Sequence, residues 1–239
     1  MFEEWYLPAF TSVSLQPLIH ILTLADKYAI EKIRQPFASN VEALWPANLK
    51  QWDLRERRVE VIQRNNLLDP SPTVHLPRQS DLLPEPASAI RFARQFGVSA
   101  ILPGAFYHLS RMSIPDNWDE LERPTSAVRW QLLSAQDLLC LMRGQKLLHR
   151  TTIDALHINS FPECSSQPSC NVTGLSDEIV DSLLHSGDIL RCTRHYLDKL
   201  SNSGKLCSAC SLEIREHLTS FREGFWERLP NFFSPPLDC

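Results

Sequence analysis

Seventeen prolines and only seven glycines punctuate this 239-residue chain, and they constrain its fold more than any other feature. Proline ends or kinks helices and is excluded from central strands, while few glycines leave few of the tight turns that all-β proteins need. Between the prolines, apolar residues recur at the i, i+3, i+4 spacing of amphipathic helices, and the alternation typical of strands is almost absent. The sequence therefore predicts an all-α fold.

Apolar spacing and capping residues place the helices along the chain. Helices are predicted over residues 14–30, 31–44, 47–63, 86–96, 99–110, 134–156, 176–200 and 211–229. Gly97 is expected to cap the 86–96 helix, and Ser134 with Asp137 forms a capping box. Gly144 inside a helix indicates close packing or a break. An interruption of the 176–200 helix is indicated near Ser186.

Several groups that resemble functional sites are better explained by packing or solvation. Asp53 and Glu56 lie on a highly charged helix and are expected on its solvated face. His108 is expected to pack or to cap a helix. A C-terminal aromatic cluster is expected in the core; it comprises Phe221, Phe225, Trp226, Phe232 and Phe233. A small basic patch is flanked by acids and does not predict nucleic-acid binding; it comprises Arg55, Arg57 and Arg58.

Charge and hydropathy limit the classes of partner and the location. Lys plus Arg is 24 and Asp plus Glu is 28, so the net charge is −4 and the chain has no global attraction to nucleic acid or anionic lipid. The N-terminus lacks the basic and apolar regions of a secretory signal, and no run approaches the roughly 18 apolar residues of a membrane span. A cytoplasmic or nuclear protein with no membrane and no nucleic-acid partner is expected.

Motifs that bind phosphate or carry catalysis are missing from the sequence. It contains no GxxxxGK[ST], GxGxxG, GxSxG or HExxH pattern. We therefore predict that the chain is not an enzyme, and we assign no catalytic or cofactor-binding residue.

Cys207 and Cys210 form a CxxC motif, the one pattern in the chain that points to a ligand. Two thiolates at this spacing can reach one tetrahedral zinc ion, which needs a second pair. Cys164 and Cys170 are candidates. Cys170 lies 37 residues upstream of Cys207, a longer gap than a compact zinc ribbon uses, but intervening helices could close it. Alternative ligands are Cys192, His185 and His195. Free or buried thiols with no cofactor are the other interpretation.

Residues 15–46 resemble the C-terminal helical part of a BTB/POZ domain. The signature is matched by Leu24, Ala25, Lys27, Tyr28, Ile30, Ile33 and Arg34. More narrowly, the chain is similar to fungal BTB-domain-containing proteins that carry a helical extension. The matching segments are Trp45-Pro46 with Leu49 and Trp52-Asp53, AIRFARQFGVSAILPGAFYHLSRM, LSAQDLLCLMRGQKLL, CSAC and FREGFWERLPNFF.

This resemblance implies a domain organisation and a function. The strand-rich first half of a BTB domain has no counterpart, so residues 1–65 would be its helical remainder, 66–83 a Pro-rich linker and 84–239 a helical extension. It implies a non-enzymatic protein–protein interaction protein, as a scaffold or a ubiquitin-ligase substrate adaptor. The alternative is a zinc-stabilised helical regulatory domain that uses Cys207 and Cys210.

The missing half also bears on association. The BTB dimer is not expected, and the oligomeric state stays open. Apolar residues that the missing half would cover are expected to be partly exposed; they are Leu15, Leu18, Leu22 and Tyr28.

Overall fold

The computed structural model describes residues 23–25, 27–28, 30–68, 85–112, 128–158, 164, 170–202 and 206–234. Every regular element in these ranges is helical, which confirms the all-α prediction. The helices are α1 (Glu31–Leu44), α2 (Leu49–Leu68), α3 (Pro86–Phe96), α4 (Leu102–Ser110), α5 (Ala135–Ile158), α6 (Val172–His185), α7 (Ile189–Asn202) and α8 (Ser208–Phe232). Single 3₁₀ turns lie at Ser99–Ile101 and Trp130–Leu132. None of the helices in these ranges is both long enough and apolar enough to cross a membrane.

Local capping signals set the ends of several helices. α1 and α3 begin and end at the predicted residues. The Glu85 carboxylate accepts hydrogen bonds from two backbone N–H groups in the first turn of α3, at 2.9 and 2.7 Å. Gly97 ends α3 in the left-handed conformation, at φ 72°. Ser134 and Asp137 each accept a hydrogen bond from the other's backbone N–H, as the capping-box prediction requires.

Other helices begin or end at residues that differ from those predicted. α2 begins two residues later than predicted and extends to Leu68. The helix predicted over 176–200 is two helices, α6 and α7, and they are separated near Ser186 as indicated. The first predicted helix, 14–30, lies mostly outside the described residues. Within that stretch Tyr28 is 65% exposed, as expected, whereas Leu15, Leu18 and Leu22 lie outside the described residues.

Contacts divide the chain into two compact units. One is Met1–Leu109 with Ser113–Asp137, and the other is Ser110–Met112 with Leu138–Cys239. This division does not follow the proposed linker at 66–83, and the domains assigned from the BTB resemblance stay a prediction.

The core of the first unit forms around aromatic residues of α2 and α4. The rings of Trp52 and Tyr107 meet edge to face, with centroids 5.4 Å apart. His108 is buried with its ring 6.2 Å from that of Trp45, so the packing role expected for it is confirmed. Glu56 is buried rather than solvated, because it lies on the side of α2 that also buries Trp52.

The second unit is built on α6, α7 and α8, and α7 packs against both of the others. Its largest buried side chains include Ile179, Leu190, Ile214, Phe225 and Leu229. Arg222 of α8 is buried and donates to the Thr193 hydroxyl at 3.0 Å and to the Leu190 carbonyl at 3.3 Å. These bonds satisfy a charge that would be costly to bury without partners, and they fix α8 against α7.

The C-terminal aromatic cluster and Gly144 both belong to the interior of this unit. Phe225, Phe232 and Phe233 are buried, which confirms the core assignment, and the other two aromatic residues are half-buried. α5 runs unbroken through Gly144, and a Cβ there would overlap the Phe233 ring. Close packing, rather than a break, therefore explains the glycine.

Candidate metal centre

Four cysteine thiols meet at one point of the second unit. The Sγ atoms of Cys164, Cys170, Cys207 and Cys210 all lie within 4.8 Å of one another. The Sγ atoms of Cys164 and Cys207 are 3.8 Å apart although these residues are 43 positions apart in sequence. The four cysteines named as metal candidates from the sequence are therefore brought together.

Two helix starts position three of these thiols. Cys170 directly precedes Asn171, which caps α6 by accepting a hydrogen bond from the Gly174 N–H at 2.9 Å. Cys207 is itself the N-cap of α8, and its Sγ accepts from the Cys210 N–H at 3.5 Å. The CxxC motif is thus the cap and first turn of α8, which places both thiols at the same end of that helix.

The antiparallel register of α6 and α7 closes the gap between Cys170 and Cys207. Ser182 meets Tyr196 through their hydroxyls at 2.6 Å, and farther along the pair Glu178 accepts from Lys199. Continuing this register toward the start of α6 and past the end of α7 pairs position 170 with position 207. The backbone N–H of Cys207 donates to the Sγ of Cys170 at 3.3 Å, as that register requires.

The separations fit one tetrahedral ion. Zinc–thiolate bonds of about 2.3 Å put the sulfurs of a tetrahedron about 3.8 Å apart. The Cys164–Cys207 distance has this value, and a contraction of about 1 Å at most brings the widest pair to it. Four soft thiolates select zinc or iron, and sulfurs this close surround a single ion rather than a larger iron–sulfur cluster.

Crowding of the thiols opposes their ionisation. Hydrogen bonding with Cys207, followed by burial and the other two thiols, raises the pKa of Cys210 well above its ordinary range. The Cys207 N–H lowers the pKa of Cys170, but burial and hydrogen bonds with Cys164 and Cys207 outweigh it, so the pKa is raised. A thiolate here lacks a compensating positive charge. A divalent cation would supply that charge, and its binding would release the thiol protons.

Backbone groups around the site favour anionic sulfur. The N–H groups of Cys207 and Cys210 both point at thiols, and the starts of α6 and α8 carry the partial positive charge of helix N-termini. A tetrathiolate zinc site has a net charge of −2, and these dipoles stabilise it. The N-cap role of Cys207 is the feature that the sequence analysis missed; the signal for it is a CxxC directly before an amphipathic run.

The alternative ligands are not part of the cluster. Within the part of the chain that the structure describes, the four-cysteine group includes neither Cys192 nor His185 nor His195. Burial, aided by the Asp188 carboxylate, raises the pKa of Cys192 to about 11, so this thiol is protonated at neutral pH. The His185 ring nitrogen Nδ1 lies 2.8 Å from the Asp181 carbonyl oxygen one turn earlier.

Comparisons with known proteins give no match. Neither the protein-family models, nor the curated proteins, nor the solved structures include one that is significantly similar to this chain. The BTB resemblance therefore stays a prediction.

Proposed function

We propose that this chain is a non-enzymatic protein-interaction protein whose second unit is stabilised by one zinc ion. The ligands would be Cys164, Cys170, Cys207 and Cys210. The observation that carries the proposal is the mutual approach of all four Sγ atoms to within 4.8 Å.

A structural role for zinc follows from the ligand set. Catalytic zinc keeps a coordination position open for water or substrate, whereas structural zinc is closed by four protein ligands. Four thiolates leave no position for a substrate. When bound, zinc would supply four bonds that join the start of α6, the start of α8 and the segment that carries Cys164.

The ion would join helix ends that are distant in the sequence. α7 packs against both α6 and α8, but the starts of α6 and α8 are separated along the chain by the whole α6–α7 pair. Holding these ends together costs conformational entropy, and a cross-link across a long stretch of chain offsets that cost. The zinc site would thus fix the packing of these three helices within the second unit.

The interaction role rests on the BTB resemblance of residues 15–46 and on apolar residues left exposed. Leu24, Tyr28 and Ile30 carry the resemblance and are exposed, and exposed apolar side chains close together are typical of interaction surfaces. Protein contact as a scaffold, or as a substrate adaptor of a ubiquitin ligase, is the role this resemblance implies.

Metal content and cobalt spectroscopy test the zinc site. The full chain, purified without chelator, is expected to hold one zinc ion by native mass spectrometry. Replacement by Co²⁺ should give the intense thiolate-to-cobalt charge-transfer bands and the visible bands of a tetrahedral site. Cys164→Ser should reduce zinc affinity strongly, because it removes a ligand.

Cys192→Ser provides the matched control. Cys192 is a half-buried cysteine of the same unit that lies outside the cluster, so its replacement should leave metal content and spectra unchanged. The proposal fails if the wild type holds only substoichiometric zinc, or if Cys164→Ser and Cys192→Ser bind zinc equally well.

A further inference from the structure

We propose that the exposed face of α5 from Leu138 to Arg150 binds a segment of another protein that carries both apolar and acidic side chains. This inference rests on the protein-interaction role proposed above and names the surface and the chemistry of the partner. Its residues belong to the second unit.

The first half of this face is apolar and open to solvent. Leu138 is 38% exposed, Leu139 53% and Met142 66%. At 100° per residue these three side chains lie within about a third of the helix circumference. The opposite side of α5 is buried through Cys140 and Leu141, so the helix is anchored and presents a fixed apolar patch. Flexible methionine at such a patch is typical of surfaces that bind protein segments.

The second half of the same face is basic. Arg143, Lys146, His149 and Arg150 are exposed, and residues 138–150 include no aspartate or glutamate. This departs from the rest of the chain, in which acids outnumber bases. Two acids of α5 flank this stretch. Asp137 is buried and paired with Arg94 at 3.1 Å, and Asp154 lies 3.8 Å from Arg150 in an exposed ion pair that contributes little stability. Charge complementarity therefore selects an acidic partner.

The layout of the face constrains the partner further. Leu139 and Lys146 are two turns apart, which is about 10 Å along the helix axis. A helical partner would place its apolar residue and its carboxylate about seven residues apart, and an extended partner about three apart. A protein segment fits better than a membrane, because only three apolar side chains are available and α5 cannot leave the core to lie in a bilayer.

A selection experiment on the intact zinc-loaded chain tests the inference. The probe is a phage-displayed library of random 16-residue peptides, and the peptides enriched are then synthesised for binding measurements. Enriched peptides should combine Leu, Ile, Phe or Met with Asp or Glu, and they should bind more weakly as salt is raised. The double change of Leu139→Ser with Met142→Ser should weaken their binding about tenfold to a hundredfold. Lys146→Glu should also weaken binding, mainly through slower association.

A matched control uses exposed apolar residues on another helix. Leu54 and Val61 of α2 are each 53% exposed, so Leu54→Ser with Val61→Ser removes similar apolar surface and should leave peptide binding unchanged. All variants should keep the zinc content and the helical circular dichroism of the wild type.

The other outcomes overturn the inference in distinguishable ways. If the α5 changes do not alter peptide binding, the docking surface lies elsewhere on the chain. The proposed interaction role would still hold. Binding of phosphatidylserine vesicles but of no peptide would replace the protein partner by a membrane, and would refute the interaction role as well. Concentration-dependent self-association that the α5 changes abolish would make a second copy of the chain the occupant.

Discussion

Removal of zinc is expected to loosen α6 and the start of α8 while α3 and α4 keep their stability. All four thiols belong to the second unit, and α3 and α4 lie in the first up to Leu109. A ligand that binds only the folded state stabilises it by RT ln(1 + [L]/Kd), which is about 4 kcal/mol when free zinc exceeds Kd a thousandfold. In a unit of about 100 residues, each kcal/mol corresponds to roughly 4–8 °C, so its melting temperature should fall by about 15–30 °C.

Hydrogen exchange followed by mass spectrometry measures this separately for each helix of the intact chain. With a strong chelator, amides of α6 and of the first turns of α8 should exchange up to about a thousandfold faster, which corresponds to about 4 kcal/mol. Amides of α3 should keep their rates. Equal acceleration in α3 and α6, or no change in α6, would refute the assignment of the ion to the two helix starts.

Cys207→Ser separates the two roles of that residue as ligand and as N-cap. Serine is a stronger N-cap than cysteine, so with chelator present α8 of the variant should be more stable than that of the wild type by up to about 1 kcal/mol. With zinc present the order should reverse, because the variant offers only three thiolates. A variant that is less stable than the wild type under both conditions would contradict this separation and would indicate that Cys207 acts through packing.

Three further changes test the fold around these sites. Glu85→Ala should lower the free energy of unfolding by about 1–2 kcal/mol in thermal melts, because the Glu85 carboxylate accepts hydrogen bonds from the first turn of α3 and from the Arg129 N–H at 3.2 Å. Glu85→Gln should lower it less. Gly144→Ala should destabilise the second unit by about 1–3 kcal/mol despite better helix propensity, and Phe233→Leu in the same chain should recover part of that loss. Burial lowers the pKa of His217 in the folded state. The contribution of neutral His217 to the free energy of unfolding is therefore fully present above the unfolded pKa of about 6.5, and it is lost as the pH falls toward the lower folded pKa. Urea titrations at several pH values should show that the stability of His217→Gln depends less on pH.

Local signals in the sequence were sufficient for several elements. α3 is bounded by a proline in its first turn and by Gly97, and both act through the backbone of adjacent residues. The capping box of Ser134 and Asp137 is equally local. Such signals need no knowledge of the tertiary structure, which is why the predicted and observed ends agree.

Tertiary packing decided the features that the sequence analysis missed. Glu56 is buried because the side of α2 that carries it also carries the buried Trp52 and packs into the core. Charge patterning alone predicts that Glu56 is exposed to solvent. The start of α8 was predicted at Ser211, three residues late, because a thiol serves as its cap in place of the usual hydroxyl or carboxylate.

The cysteine cluster was predicted in part, because the sequence indicated an interruption of the 176–200 helix but not the direction in which the chain continues after it. A continuous helix of 25 residues would carry the chain about 37 Å away from Cys170, and Cys207 would then have no reason to return to it. The structure instead has two helices of 14 residues each, joined near Ser186. Antiparallel helices of equal length bring the chain back to where it started. The 37 residues from Cys170 to Cys207 therefore run out along α6 and return along α7. The sequence therefore indicated that intervening helices could bring the two pairs of cysteines together, and the packing of α7 against α6 is what makes the break near Ser186 a reversal of chain direction.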